Sequence, residues 1–445
     1  MPVRRIVLAF LLIAAAALGL GGWYAASGNL QAAAAAESYQ TPAEADDVYA
    51  RFLMEAFDSI KQHYWEGLSD AQLAHLYQLS LSKAAGRDEP LATTTRAATA
   101  AMLGNAFDAA TSTDARAQLA LMTLQVVLYN LEPNGRDQLL SQKQETALRQ
   151  QVSNINPQTD LYGTLGLADG ASVSAVDAAY EKKAASLAAA TSSDAKQELA
   201  EAQYAHAVLT NGTSKTLYDT QKVEPSLYSK RIGDTLYFNL TKITPTTLYE
   251  FAHAIDDAST TPGLTGLILD ERGNIGGTLD FLQAFLGLFI GKNQYAFDLY
   301  ADNAYDAQRT TEPQFTELSR FTHVAILTDG MTQSTAELTA AAFKRYHLAT
   351  IVGTTTRGWG TVENTYPLTT SIATDTAYVL ELVNHITLGD ENQPIEGRGV
   401  VPDVDTSRAG WQSALGTYIS SPGLIHALEV VAAEPPLTYE DAKPQ

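Results

Sequence analysis

The sequence has 445 residues, long enough for roughly two to four domains, and its 45% hydrophobic and 18% charged residues are ordinary for a globular chain. A formal net charge of −21 argues against nucleic acid and against an anionic membrane surface as partners. The absence of cysteine excludes disulfides, thiolate chemistry and cysteine-held zinc, and is compatible with an exported bacterial protein.

The chain opens with a targeting segment. Arg4 and Arg5 precede an apolar run from Ile6 to Ala26, followed by AAAAAES. The run is long enough to span a bilayer as an anchor, and the small residues after it would suit signal-peptide cleavage. Both readings of residues 1–36 leave the arginines inside and the remainder extracytoplasmic. Residues 37–150 are expected to form a helical region, read as helices from Ala43 to Ser141. FDSIKQHYWEGLSDAQLAHLY has apolar residues at helical spacing, with Ser69 as an N-cap. His63 and His75 are read as surface or boundary histidines, because no carboxylate is paired with them by spacing.

Residues 155–222 are predicted to be almost entirely helical. DLYGTLGL gives a short first helix, and a second starts at Ser172 or Ser174 with apolar spacing through Val176, Ala179 and Leu187. A third helix, a loop and a final turn follow through Gln221. In order, the DLY opening, the AY of the second helix, the A-x-x-V-L of the third and the closing LYD resemble a J domain. Ala188, Ala189 and Ala190 stand where J domains carry the His-Pro-Asp that contacts their chaperone. The segment is therefore read as a J-like spacer or binding module with a possible protein partner. A helical insertion of no particular ancestry is the alternative.

From Leu227 the period changes to that of strands. DTLYFNLTKITPTTLYEFAHAID reads as a strand, a turn and a helix capped by Thr246 or Thr247. An apolar strand from Leu264 to Leu269 then ends at Asp270 and leads through the glycine-rich DERGNIGG into a buried helix. HVAILTDG is a further strand. It leads past Ser334 into an alanine-rich helix and back through ATIVG, a strand–turn–helix–strand unit of a parallel sheet. A serine at the mouth of such a helix has its hydroxyl lifted off the sheet. Beside it lie free N–H groups and the positive end of the helix dipole, which suit the oxyanion of acyl transfer.

The run from Asp329 to Leu368 resembles the catalytic segment of the C-terminal processing (tail-specific) peptidases, a serine protease family. STAE matches the nucleophile box, which puts Ser334 in the nucleophile's place. DERGNIGG is similar to the family's Asp-x-Arg-x-Asn-x-Gly-Gly, and IEGRGVVPDV to its closing signature, with Gly399, Pro402 and Asp403 in place. The resemblance implies an oxyanion hole made by the N–H of Gly276 or Gly277 together with that of Thr335. It also places the general-base lysine at Trp359, within TRGWG. NLEPNGRDQLLS resembles a short element before the family's middle domain, with Asn134 at the position of its histidine. The PDZ domain usual at that point is replaced by the J-like segment.

An indole has an N–H donor and no acceptor, so Trp359 cannot take a proton from Ser334. Lys344, ten residues along the helix, lies about 15 Å away, and Arg357 never deprotonates. Glu363, His385 and Glu396 are the substitutes to consider, and Glu391 lies in the same loop as Glu396. Glu363 occupies the position of a family glutamine that hydrogen-bonds near the lysine. The fold expected is mixed α/β: an N-terminal signal or anchor helix, a helical N-terminal region, the J-like domain, a tail-specific protease core over residues 226–430, and a tail over 431–445. The function expected is that of an exported or membrane-anchored serine peptidase-like protein with an altered base, acting on or binding extended polypeptides. An inactive pseudopeptidase serving as a peptide-binding or regulatory scaffold is the alternative. No phosphate loop is present, and no cofactor, metal or nucleic acid is expected.

Overall fold

A computed structural model describes residues 47–435, except 111, 157–158, 188–191, 374–375 and 390–392. The apolar run from Ile6 to Ala26, the three alanines from Ala188 and the loop residue Glu391 lie outside the described residues. No described helix is long and apolar enough to cross a membrane.

Four helices come first: α1 (Val48–His63), α2 (Asp70–Ala85), α3 (Arg96–Asp108) and α4 (Thr113–Tyr129). Each starts where a short polar side chain caps it. Asp47 accepts from the N–H groups of Tyr49 and Ala50, and Ser69 forms a reciprocal capping box with Gln72. The apolar faces of these helices do not close on themselves. Phe52, Phe57, Leu73, Tyr77 and Leu103 form one core with Leu368, Leu380 and Leu382 of a sheet that the chain builds some 240 residues later. The stretch read as helical to Ser141 ends differently: Gln138–Ser141 is a strand, β1, and only then does α5 (Gln142–Val152) begin, again with a capping box, Ser141 to Gln144. A four-residue segment with one buried side chain has too little alternation to announce a strand; its partner alone defines it.

The next segment is helical as expected, with α6 (Leu161–Thr164), α7 (Val173–Leu187), α8 (Ser193–Thr210) and α9 (Gly212–Gln221). Of the two serines considered as the start of α7, Ser172 is the cap, accepting from the Ala175 N–H at 3.3 Å. These helices have a core of their own, in which Leu161, Tyr162, Val176, Ala205, Leu209 and Tyr218 are buried.

The rest is two sheets with helices. Strands β2 (Leu227–Ile232), β3 (Thr235–Leu240), β4 (Gly266–Asp270), β7 (His323–Thr328), β8 (Thr350–Gly353) and β11 (Val404–Asp405) form one sheet in the order β11-β8-β7-β4-β3-β2. All neighbours are parallel except β2 with β3. Every residue of β3 and β4 is buried, as central parallel strands covered on both faces require. One face packs against α10 (Thr247–Ser259), α11 (Asp280–Ile290) and α12 (Thr335–Arg345), the other against α13 (Trp411–Tyr418) and α14 (Pro422–Ala433). The second sheet is built on β10 (Tyr378–Leu388). One edge of β10 carries β9 (Thr361–Leu368); the other carries β1 and then β5 (Tyr295–Ala301), which is followed by β6 (Ala304–Arg309). Because β9 leaves the loop after β8, the second sheet approaches the first beside the N-terminus of α12.

Phe285 of α11 is fully buried and meets four other rings, those of Phe251, Phe281, Phe289 and Phe343, with centroids 4.8 to 5.5 Å away. Phe285→Ala should therefore destabilise the protein by about 3–5 kcal/mol, measured by denaturant unfolding of the full chain.

Candidate active site

Ser334 is the N-cap of α12, with φ +58° and ψ −128°. A non-glycine residue pays on the order of 1–3 kcal/mol to stay in such a region and needs surroundings that hold it there. Glu337, one turn into the helix and fully buried, does the holding. Its Oε2 accepts the Ser334 N–H at 2.9 Å and the Trp359 N–H at 2.8 Å. Its Oε1 accepts the Gly358 N–H at 2.7 Å and the Thr356 hydroxyl. One carboxylate thus fixes both the serine turn and the loop that follows β8. The spacing Ser-x-x-Glu ahead of an apolar run is a capping signature visible in the sequence, but the sequence reading gave Glu337 no role.

The turn after β4 closes on Ser334 from the other side. The Asn274 carbonyl accepts the Gln333 N–H at 3.0 Å, and its side-chain oxygen accepts the Gly276 N–H at 2.9 Å. Gly276 has φ +81°, and a Cβ there would lie 2.7 Å from the Ser334 Cβ; one on Gly277 would lie 1.6 Å from the Ile243 carbonyl oxygen. Only glycines let the two turns touch. The Thr335 hydroxyl, donating to the Gly277 carbonyl at 2.9 Å, links them again. Gly276 was considered equally with Gly277 as an oxyanion donor, but its N–H is already engaged by Asn274. The N–H groups of Gly277 and Thr335 make no hydrogen bond to a described residue.

The Asp270 and Arg272 of the same motif have a structural use. The carboxylate binds the guanidinium through both oxygens, at 2.9 and 2.7 Å, and accepts the Tyr237 hydroxyl at 2.8 Å. Arg272 in turn donates to the carbonyls of Val431 and Glu434 at 3.1 Å, so that α14 is clamped to the sheet.

A cavity of about 190 Å³ lies against Ser334 and Gly277, with Leu279, Leu338, Trp359 and Glu363 among its walls. The Trp359 indole N–H donates to Glu363 Oε1 at 3.0 Å, and the Thr361 hydroxyl donates to the same oxygen. The guanidinium of Arg136 lies 3.6 Å from the indole centroid and pairs with Glu396 at 2.7 Å. Arg136 comes from the segment just before β1, and nothing in the sequence pattern marks it. The exposed Arg357 approaches the same ring at 5.1 Å. Among the described residues, no titratable side chain hydrogen-bonds the Ser334 hydroxyl.

The three substitute bases fare differently. Glu363 shares the cavity with Ser334, and burial pushes its carboxyl up. Glu396 is committed elsewhere, one oxygen to Arg136 and the other to the Gly360 N–H at 2.7 Å. His385 does not line the cavity and makes no hydrogen bond to Ser334 or to a described carboxylate, so the Ser334–His385–Glu arrangement is not formed. A bulge between Val383 and His385 shifts the strand there. The ring sits partly buried in the field of Asp302 and Asp306, with burial lowering its pKa. Lys344 is at the far end of α12, bonded to the Val401 carbonyl at 2.7 Å. Asn134 is exposed and donates to Glu132 at 3.2 Å.

Behind Glu363 are two more carboxyls. Asp137 is 4% exposed; one oxygen accepts the Val383 N–H at 2.8 Å and the other has no hydrogen-bond partner. Burial, with added repulsion from Glu363 and Glu381, pushes its carboxyl up to about 7. Glu381 of β10 is pushed up to about 7 by burial and by Glu363.

Residues 234–406 match the family model described as peptidase family S41. Over 188 residues the chain is 27% identical to a probable CtpA-like serine protease of Staphylococcus saprophyticus, a match covering 42% of this chain and 37% of that protein. Over 193 residues it is 28% identical to the carboxy-terminal-processing protease of Bartonella bacilliformis, covering 43% and 42% respectively. The chain thus spans less than half the length of these curated relatives. The solved structure of the photosystem II D1 C-terminal processing protease aligns with a TM-score of 0.47 and 15% identity, over 80% of this chain and 92% of the other.

Two outcomes follow from the carboxylates. Glu337→Gln turns an amide N–H₂ toward groups that are all donors, so it should cost about 2–4 kcal/mol of stability, read by denaturant unfolding. Glu381 takes up its proton more readily folded than unfolded. Its contribution is therefore full below its ordinary value of 4.5 and is lost as the pH rises through about 7. Glu381→Gln should leave the melting temperature unchanged at pH 4 and raise stability at pH 8 by about 1 kcal/mol, a figure discounted for partial exposure.

Proposed function

Given that residues 234–406 match the family model of peptidase family S41, we propose that this chain is a peptidase-fold protein of the C-terminal processing type. In this reading it binds extended polypeptides at the Ser334 cavity and hydrolyses them poorly or not at all. The observation that carries the reading is Trp359. Its indole, at the position that the resemblance gives to the base lysine, has its one N–H tied to Glu363, and among the described residues no titratable side chain is hydrogen-bonded to the Ser334 hydroxyl. A serine hydroxyl without a base in contact is a weak nucleophile. The parts that would hold a peptide carbonyl are retained: the N–H groups of Gly277 and Thr335, and the cavity.

A second reading is favoured by one feature. Glu363 lines the same cavity, and burial moves its carboxyl toward the range where a carboxylate becomes a useful base. The chain would then be a slow serine peptidase with a Ser334–Glu363 pair. In both readings residues 1–36 serve as signal or anchor, the core over 226–430 works outside the cytoplasmic membrane, and the J-like module over 155–222 replaces the usual substrate-holding domain.

The test is binding and hydrolysis of a fluorescently labelled unfolded polypeptide by the full chain. Binding without cleavage is the expected result. Trp359→Lys combined with Glu363→Gln should then produce cleavage that a further Ser334→Ala removes; the glutamine is needed because Glu363 would hold the new lysine protonated. Ser334-dependent cleavage by the parent, abolished by Glu363→Gln alone, would establish the second reading. Absence of binding would sink the first.

A further inference from the structure

The cavity beside Ser334 has room for one side chain, and its wall is of two kinds. Leu279, Leu338 and the Trp359 ring would cover an apolar stem. Glu363 puts a carboxylate beside them. Its Oε1 takes both of its hydrogen bonds from within the chain, those of Trp359 and Thr361, and its Oε2 takes none from the described residues.

Around that oxygen carboxyl groups outnumber cations. Asp137, Glu363 and Glu381 lie within one another's fields, and Glu396 is close by on Arg136. Facing these four carboxyl groups, among the described residues, is the guanidinium of Arg136, already paired with Glu396 and stacked on the indole. Arg357, the other cation near the indole, is exposed. Asp137, which does not itself line the cavity, is nearly fully buried behind Glu363 with one oxygen unpartnered. A buried carboxylate oxygen without a donor is costly, and a cation placed nearby would offset that cost. A metal ion does not fit, because no group of three ligating side chains among the described residues is arranged to hold one. A cationic group on a flexible apolar stem fits both halves of the wall, and the net charge of −21 would draw such chains in.

We infer that the cavity takes a lysine or arginine side chain of the bound polypeptide, with Glu363 receiving its charged end. This rests on the polypeptide-binding reading above and names the residue class that the site selects.

The experiment uses labelled ten-residue peptides identical except at one position, which carries lysine, Nε-acetyl-lysine or glutamate and is moved stepwise along the peptide. Affinities for the full chain are read by fluorescence anisotropy at low and high salt. At one position lysine should bind about tenfold more tightly than acetyl-lysine, and glutamate more weakly than both. The lysine preference should persist at high salt, because a part-buried pair is screened little. Glu363→Gln should bring the lysine to acetyl-lysine ratio to about one, with its fold checked by thermal melting. Equal affinity for lysine and acetyl-lysine at every position would overturn the inference while leaving polypeptide binding intact. So would a preference that survives Glu363→Gln and vanishes at high salt, the signature of diffuse surface attraction. If no peptide binds, this inference and the reading beneath it fall together.

Discussion

The site depends on the buried carboxylate of Glu337. Three backbone N–H groups and one hydroxyl converge on its two oxygens, about as many as a carboxylate accepts. Through them the strained serine turn and the loop after β8 become one rigid piece. Thr356, bound to Glu337, also receives the Val400 N–H at 2.7 Å, so the closing Gly399–Pro402 segment is drawn into the same network. What Glu337 grips at residue 359 is the backbone. The loop therefore keeps its place whatever side chain stands there.

Trp359 is held on its edge and on its face. An indole N–H facing a cavity needs an acceptor, which Glu363 supplies; the ring face needs cover, which Arg136 supplies from the segment ahead of β1. Because β1 is paired with β10 and the α1–α4 helices share a core with β9 and β10, this cover is not a loose appendage. The N-terminal helical region and the peptidase-like core are thus joined at the site itself, through one guanidinium, one indole and the carboxylate of Glu396.

Much of this was legible in the sequence where local chemistry decides the outcome. The parallel strands announce themselves as apolar runs, Ser69 as a cap, and the helices over 155–222 by their spacing, with the start of the second narrowed to Ser172 or Ser174. Legibility ends where contacts join distant segments. Nothing near Arg136 says that it will lie on Trp359, and QLLS becomes a strand only because residues 378–381 lie alongside it. His385 illustrates the opposite error. Residue type and neighbourhood recommended it, but in a strand the facing direction is everything, and past the bulge beside Val383 the His385 ring does not line the cavity. Gly276 and Gly277 were inseparable in sequence; the Asn274 side chain separates them by binding one N–H.

The field at Ser334 bears on the proposed chemistry as much as the side chain at position 359 does. Acyl transfer builds negative charge between the serine and the N–H groups of Gly277 and Thr335, and neighbouring positive charge or donors lower that barrier. Here the donors remain, but a carboxyl stands in the cavity with two more behind it. To whatever extent these are ionised, they oppose an oxyanion while favouring a cation in the same space. On the proposed reading, tryptophan at position 359 and glutamate at position 363 therefore act in one direction. Such a pair would weaken stabilisation of the transition state and strengthen the attraction of a positively charged ground state, which is the balance that the proposed polypeptide-holding site requires.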